Sequence, residues 1–131
     1  MCCFLLITPP PKQFYNILKN MKAVSDQRFG RERKFSEIYR KALVSKQVFS
    51  GIVRGKIPLK DTVLKLAFAL GATLEEAENL LKSAGYSFGI CVKRDLLLKS
   101  CFERRIVDIL EINEFLKREK EKPLVKSRKI V

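Results

Sequence analysis

Histidine is absent from this chain of 131 residues, and cysteine is sparse. Without histidine, the chain has neither the usual general base of enzymes nor the mixed Cys/His ligand sets of zinc sites. The cysteines are one adjacent pair, Cys2 and Cys3, and two isolated residues, Cys91 and Cys101. This spacing fits neither a disulfide framework nor a Cys-x-x-Cys zinc site. We therefore expect a reduced, cytoplasmic protein in which Cys91 and Cys101 are small buried hydrophobic residues.

Glycine and long apolar runs are also scarce. The six glycines form no phosphate-binding loop, and Glu75, Glu76 and Glu78 have no evident partner acid or metal-ligand set. We therefore expect no catalytic residue, no metal site and no cofactor, and interpret the chain as a non-enzyme. The apolar segment 2–7 is too short to span a membrane and lacks the basic start of a signal peptide, so we expect no membrane partner.

Acidic residues are outnumbered by basic ones. The sequence has 27 Lys and Arg against 14 Asp and Glu, which gives a formal net charge of +13 and a pI of about 9.9. An excess of this size in a small chain favours an anionic partner, nucleic acid in particular.

The spacing of apolar residues predicts helices and no strands. Apolar residues recur three and four positions apart, and no alternating pattern of useful length interrupts them. The sequence therefore predicts an all-α fold. Residues 25–34 are polar and basic and are interpreted as a loop, while Thr73–Glu76 and Asp108–Glu111 fit the capping box at helix starts. The predicted helices lie near residues 12–24, 35–43, 46–54, 60–70, 73–84, 92–102 and 108–119.

The stretch 44–56 is the most informative part of the chain. Ser45 can cap a helix in which Phe49 and Ile52, three positions apart, point inward together. The residues that then face outward are Lys46, Gln47, Ser50 and Arg54. A short helix with a buried seam and a basic, amide-bearing outer face suits insertion into a DNA major groove. Its short link to the preceding helix fits the sharp turn of a helix-turn-helix.

Four segments carry a pattern that extends beyond this helix. They are Val44–Gln47, Arg54–Lys56, Thr62–Ala67 with its Leu-Ala pair, and Leu70–Leu74 with its glycine and helix cap. With them, residues 12–84 resemble the five-helix DNA-binding domain of the lambda repressor and Cro-like family. The resemblance implies an all-α, five-helix helix-turn-helix domain, here followed by two added C-terminal helices.

The resemblance also implies double-stranded DNA as the partner and assigns roles by position. Lys46 and Gln47 are expected to read base edges, since lysine can donate to guanine and glutamine can pair with adenine. The position of Gly51 faces the groove in this family and is included with the base-reading residues. The residues expected to hold DNA phosphates are Ser50, Arg54, Lys56 and Lys60. Such domains usually bind as symmetric dimers, so a homodimer is also expected.

Three residues depart from the family pattern. Leu43 stands where the turn usually has a glycine, and a left-handed backbone there costs a leucine roughly 1–2 kcal/mol. Tyr39 replaces a small residue that packs against the reading helix, and Gly51 lies inside that helix at a cost of about 1 kcal/mol. These departures motivate an alternative, a protein-interaction module that is antitoxin-like or a defence-associated adaptor and binds a protein partner.

The sequence therefore predicts four parts. Residues 1–11 are expected to be a poorly ordered leader, 12–85 the helix-turn-helix domain, 86–119 a helical extension packed on it, and 120–131 a basic flexible tail. The favoured function is sequence-specific DNA binding by a bacterial or phage transcriptional regulator that reads the major groove with helix 46–54.

Overall fold

The computed structural model describes residues 13–125, and every regular element in that range is an α-helix. The helices are α1 (Gln13–Phe29), α2 (Phe35–Lys41), α3 (Lys46–Val53), α4 (Lys60–Ala69), α5 (Leu74–Ser83), α6 (Lys93–Glu103) and α7 (Ile109–Arg118). The predicted all-α class is confirmed, whereas the expected leader 1–11 lies outside the described residues. Across residues 13–125, each helix is too short or too polar to cross a membrane.

Helix α1 extends beyond residue 24, so the prediction of a loop over residues 25–34 is wrong in its first half. Ser25 and Asp26 are buried in the last turns of α1, and Gly30 ends the helix with a φ of 98°. The Ser25 hydroxyl donates to the Leu70 carbonyl at 2.6 Å, and Asp26 accepts from Lys22 at 2.6 Å. Polar composition suggested a loop, but these groups satisfy one another inside the fold.

Helix α4 lies at the centre of the core. Residues 66–70 are all buried, between helices of the first half of the chain and the two C-terminal helices. The ring of Phe68 stacks on Phe102 of α6 with centroids 3.9 Å apart, and Phe88 meets Phe102 edge-on at 6.3 Å. The residues 86–119 therefore share one hydrophobic core with the helices that precede them.

Local capping largely follows the sequence. Ser45 begins α3 by accepting from the Val48 N–H at 3.1 Å, and Thr73 and Glu76 form the predicted capping box at α5. At α7, Asp108 caps through the N–H of Leu110 instead of the capping box predicted with Glu111. These caps fix where α3, α5 and α7 begin.

The C-terminal segment packs against α7 up to Val125, and the rest of the expected tail 120–131 lies outside the described residues. The side-chain amide oxygen of Asn113 accepts from the Leu124 N–H at 2.8 Å, and Leu124 is buried. The Asn113 side chain thus accepts a hydrogen bond that a backbone carbonyl would otherwise accept. The basic composition of residues 120–131 does not predict this contact.

The two described cysteines lie in different surroundings. Cys101 is buried on the inner face of α6, as predicted, and burial raises the pKa of its thiol. Cys91 is exposed, so the prediction that it is buried is wrong. It lies beside the exposed Ile90 in the turn before α6, where the backbone runs along the surface.

Candidate nucleic-acid interface

The turn between α2 and α3 consists of residues 42–45 and holds a left-handed leucine. Leu43 has a φ of 60°, and its N–H donates to the Arg40 carbonyl at 3.0 Å. The next N–H, that of Val44, donates to the Tyr39 carbonyl at 2.8 Å. The left-handed backbone expected at Leu43 is therefore present, and the two hydrogen bonds set the angle at which α3 leaves α2.

The inner face of α3 is held by a cluster of aromatic rings around Phe49. Tyr39 stacks on Phe49 with centroids 5.0 Å apart, Phe35 lies at 4.9 Å, and Tyr15 meets it edge-on at 6.3 Å. Phe49 and Ile52 are both buried, as the spacing predicts. The large Tyr39 fits because its ring packs flat against Phe49, and this packing leaves the opposite face of α3 exposed.

That opposite face is polar and basic. Lys46, Gln47 and Arg54 are exposed and Ser50 is half-buried. These four residues line one shallow depression of about 350 Å³, so the outward-facing set of the sequence prediction shares one surface. Among residues 13–125, neither Lys46 nor Arg54 takes part in an ion pair. Their charges are therefore available to a partner.

Gly51 is buried and does not line this depression, but it borders a neighbouring groove together with Gln47 and Arg54, so its assignment as a base-reading residue stays a prediction. The side chain of Lys56 folds over it, so that a Cβ at Gly51 would lie 3.4 Å from Lys56 Cδ. The Lys56 N–H also donates to the Gly51 carbonyl at 2.9 Å. The Lys56 stem thus covers Gly51, whereas Lys56 itself is exposed.

Lys60 is already paired with a carboxylate, so its assignment as a phosphate contact stays a prediction that requires this pair to open. Its Nζ lies 2.8 Å from Oδ2 of Asp95, a carboxylate that is 3% exposed and also accepts from the Gly89 N–H at 2.6 Å. The position of Lys60 at the start of α4 suggested a phosphate contact, but a residue 35 positions later neutralises its charge. Sequence spacing carries no signal of such a pair.

Sequence reasoning missed an apolar groove beside the basic face. Val48, Ile57 and Leu59 are 43%, 49% and 75% exposed, and they line a groove of about 500 Å³ between α3 and the start of α4. Gln47 and Arg54 border the same groove. Apolar side chains on a DNA-facing helix can contact the methyl groups of thymines. The sequence signal for this groove was the set of apolar residues that lie between the lysines and arginines of residues 46–60.

Charge of one sign surrounds α3. From Ile38 to Lys60 the chain has six basic residues and no acidic residue, a run that is visible in the sequence. Within the described chain, Lys60 is the only one of the six in an ion pair. With no acidic residue in this run, the positive potential around α3 is not cancelled locally.

Elsewhere in the described chain, no three Cys, Asp or Glu side chains gather closely enough to hold a metal ion. No protein-family model, curated protein or solved structure matches this chain. The surface around α3, with its free cations, exposed amide and apolar border, is therefore the feature from which a function is inferred.

Proposed function

We propose that this chain is a sequence-specific DNA-binding protein, a bacterial or phage transcriptional regulator that reads the major groove with α3. In this proposal α1–α5 correspond to the five-helix domain of the lambda repressor and Cro-like family, and α2 and α3 to its helix-turn-helix. The observation that carries the proposal is the exposed face of α3, where Lys46 and Gln47 lie beside unpaired Arg54.

Lys46 and Gln47 read the bases. They occupy the first turn of α3, which is the part of a recognition helix that reaches base edges. Lysine donates to O6 and N7 of guanine, and glutamine pairs through two hydrogen bonds with adenine. Each good contact of this kind discriminates against the wrong base by about 1–3 kcal/mol.

Ser50, Arg54 and Lys56 position α3 on the phosphates. All three are on or beside the exposed surface, and Arg54 and Lys56 have no ion-pair partner within residues 13–125. Each phosphate they neutralise steepens the fall of log affinity with log salt by about 0.9. Lys60 is left out of this set because Asp95 holds it.

Selection of bound sequences from random duplex DNA at physiological salt tests the proposal. The wild-type protein is expected to enrich one motif, and the double variant Lys46→Ala with Gln47→Ala is expected to lose preference at two or more positions of it. The matched control is Asn79→Ala with Lys82→Ala, which removes an exposed amide and lysine from α5. Failure of the wild type to enrich a motif, or an unchanged motif in the α3 variant, contradicts base reading.

The salt dependence of DNA affinity tests the phosphate contacts separately. Lys56→Ala is expected to reduce the slope of log affinity against log salt by about one while leaving the selected motif intact. Sedimentation of the complex reports whether one or two copies bind, since a homodimer reads two half-sites about one helical turn apart. Affinity that does not change with salt contradicts the electrostatic part of the proposal.

The apolar groove favours a second candidate function, a protein-interaction module that is antitoxin-like or a defence-associated adaptor. Val48, Ile57 and Leu59 expose more apolar surface than phosphate binding requires. A pull-down that recovers one stoichiometric protein partner, together with no DNA binding at low salt, supports this function. Specific DNA binding with no such partner contradicts it.

A further inference from the structure

A second basic surface lies where the C-terminal ends of α1, α2 and α4 meet. A depression of about 190 Å³ opens there, and it has no lining residue in common with the depression on α3 or with the apolar groove. Its basic lining residues are Arg28, Arg33, Lys41 and Arg105, and we refer to it as the C-end pocket.

The charges around the C-end pocket do not cancel. Arg28 forms a fork with Glu76 at 2.8 and 2.9 Å. Asp26 is shared by Arg33, whose Nε lies at 2.8 Å, and Lys22, whose Nζ lies at 2.6 Å. Two carboxylates therefore face five cations, which leaves three positive charges. The five cations are Lys22, Arg28, Arg33, Lys41 and Arg105.

Donor groups also remain at the C-end pocket. A guanidinium has five N–H donors. Arg33, 7% exposed, donates from Nε and Nη2, and Arg105 donates from Nη1 and Nη2 to the carbonyls of Ala72 and Gly71 at 3.1 and 3.0 Å. Donors on Arg33 Nη1 and Arg105 Nε are not used by these bonds. Among residues 13–125, Lys41 has no hydrogen bond or ion pair from its side chain.

The negative ends of the helix dipoles account for only part of the excess positive charge at the C-end pocket. Basic side chains stabilise helix C-terminal ends, and Arg105 lies just past the end of α4, where it donates to the carbonyls of Gly71 and Ala72. Each helix end carries about half a negative charge at most, so three ends offset about half of the excess. The remaining positive charge, together with the exposed and unpaired Lys41, is available to an anion.

We propose that the C-end pocket binds a compact phosphate-bearing anion, of the size of inorganic phosphate or pyrophosphate. Guanidinium groups match phosphate oxygens with paired N–H donors, and Lys41 supplies a point charge. A volume of about 190 Å³ is below the roughly 300–1,000 Å³ of pockets that hold drug-sized ligands, which favours a small anion over a whole nucleotide. This site does not depend on DNA binding by α3, and either proposal can fail alone.

Titration of the full chain with pyrophosphate, followed by the shifts of backbone amide signals, tests this proposal. We expect saturable shifts at Arg28, Arg33, Lys41 and Gly71, and none at Gln47, with sodium chloride of equal ionic strength as the reference. Shifts spread over the basic surface without saturation, an adventitious ion only, overturn it.

Variants identify the residues responsible. Lys41→Gln, and separately Arg105→Gln, is expected to weaken pyrophosphate binding at least tenfold. The matched controls are Arg40→Gln and Arg104→Gln, exposed neighbours that do not line the pocket. Lys41 is exposed and has no ion pair among the described residues, so its variant is expected to stay folded, and urea unfolding checks this. Equal affinity in Lys41→Gln and Arg40→Gln overturns the proposal.

Duplex DNA provides the last comparison, because its phosphates have the same chemistry. The C-end variants are expected to keep the DNA affinity of the wild type, whereas Lys56→Ala weakens it through the loss of one phosphate contact. If Lys41→Gln and Arg105→Gln weaken DNA binding as much as Lys56→Ala does, the pocket belongs to the DNA surface, and a small-anion site is ruled out.

Discussion

The ammonium of Lys60 and the carboxylate of Asp95 are 2.8 Å apart and join the first turn of α4 to the first turn of α6. Asp95 is 3% exposed, and only 29% of the Lys60 side chain is exposed. The pair therefore removes one cation from the basic run around α3. It also makes the C-terminal extension a structural support for the loop that follows α3, since Tyr86 donates to the Pro58 carbonyl at 2.8 Å.

Replacement of Asp95 by asparagine is expected to release Lys60. The variant keeps the size of the side chain and an acceptor for the Gly89 N–H, but loses the charge. If Lys60 then reaches a phosphate, the salt slope of DNA binding becomes steeper by about 0.9, while the folded state loses about 1–3 kcal/mol. Salt titration of DNA affinity and urea unfolding measure the two effects. Glu103→Gln is the control, because it changes the net charge of α6 by the same amount. An equal salt slope of DNA affinity in the two variants contradicts the release of Lys60.

The sequence predicts local features of this fold well and distant pairs poorly. Apolar spacing and caps predicted the helices and the inward direction of Phe49 and Ile52, because both depend on residues within one or two turns. The burial of Ser25 depends on the carbonyl of Leu70, 45 positions away. The pairing of Lys60 depends on Asp95, 35 positions away. Such contacts follow from tertiary packing, which the spacing within a helix does not encode.

Replacement of Leu43 by glycine is expected to stabilise the fold. The φ of 60° at this exposed leucine costs roughly 1–2 kcal/mol, and glycine avoids that cost but gives back about 0.5–1 kcal/mol of backbone entropy. The expected gain is between zero and about 1.5 kcal/mol in the free energy of unfolding, measured in urea. Leu43→Ala is the control, since it removes the same side chain and keeps the Cβ. A glycine variant less stable than the alanine variant shows that the left-handed backbone is not a source of strain.

Val48 is expected to contact a thymine methyl if α3 reads the major groove as proposed. It is 43% exposed and borders the groove beside Gln47. Replacing the contacted thymine of the selected motif by deoxyuridine removes one methyl group and is expected to weaken binding by about 0.8 kcal/mol, roughly fourfold. The base-pairing pattern is unchanged, so only the apolar contact is tested.

The variant Val48→Ala decides whether that residue makes the contact. The affinity of this variant is expected to be nearly the same for the thymine and deoxyuridine duplexes. The four affinities form a double-mutant cycle, which gives the coupling energy between Val48 and the thymine methyl. Substitution of a thymine outside the motif is the control. If Val48→Ala keeps the full sensitivity to deoxyuridine, another side chain makes the contact, although base reading by Lys46 and Gln47 remains possible to test by itself.

Asp26 is expected to make part of the stability of the fold dependent on pH. Burial opposes its ionisation, but hydrogen bonds from Lys22 and Arg33 outweigh burial and lower its pKa below the ordinary 3.8. Because the folded pKa is below the unfolded one, the contribution is complete above about pH 4 and is lost as pH falls through the folded pKa. Urea unfolding from pH 7 to pH 2 measures it.

The variant Asp26→Asn tests whether this carboxylate is responsible. It leaves Lys22 and Arg33 without their shared anion and is expected to be less stable than the wild type by about 1.5–3 kcal/mol at pH 7. The difference is expected to shrink below about pH 4, where the carboxyl of the unfolded wild type takes up a proton, and to disappear once the folded carboxyl is protonated too. Glu32→Gln, at an exposed residue with no ion pair among those described, is the control. A stability difference that stays constant from pH 7 to pH 2 contradicts the role of the Asp26 charge.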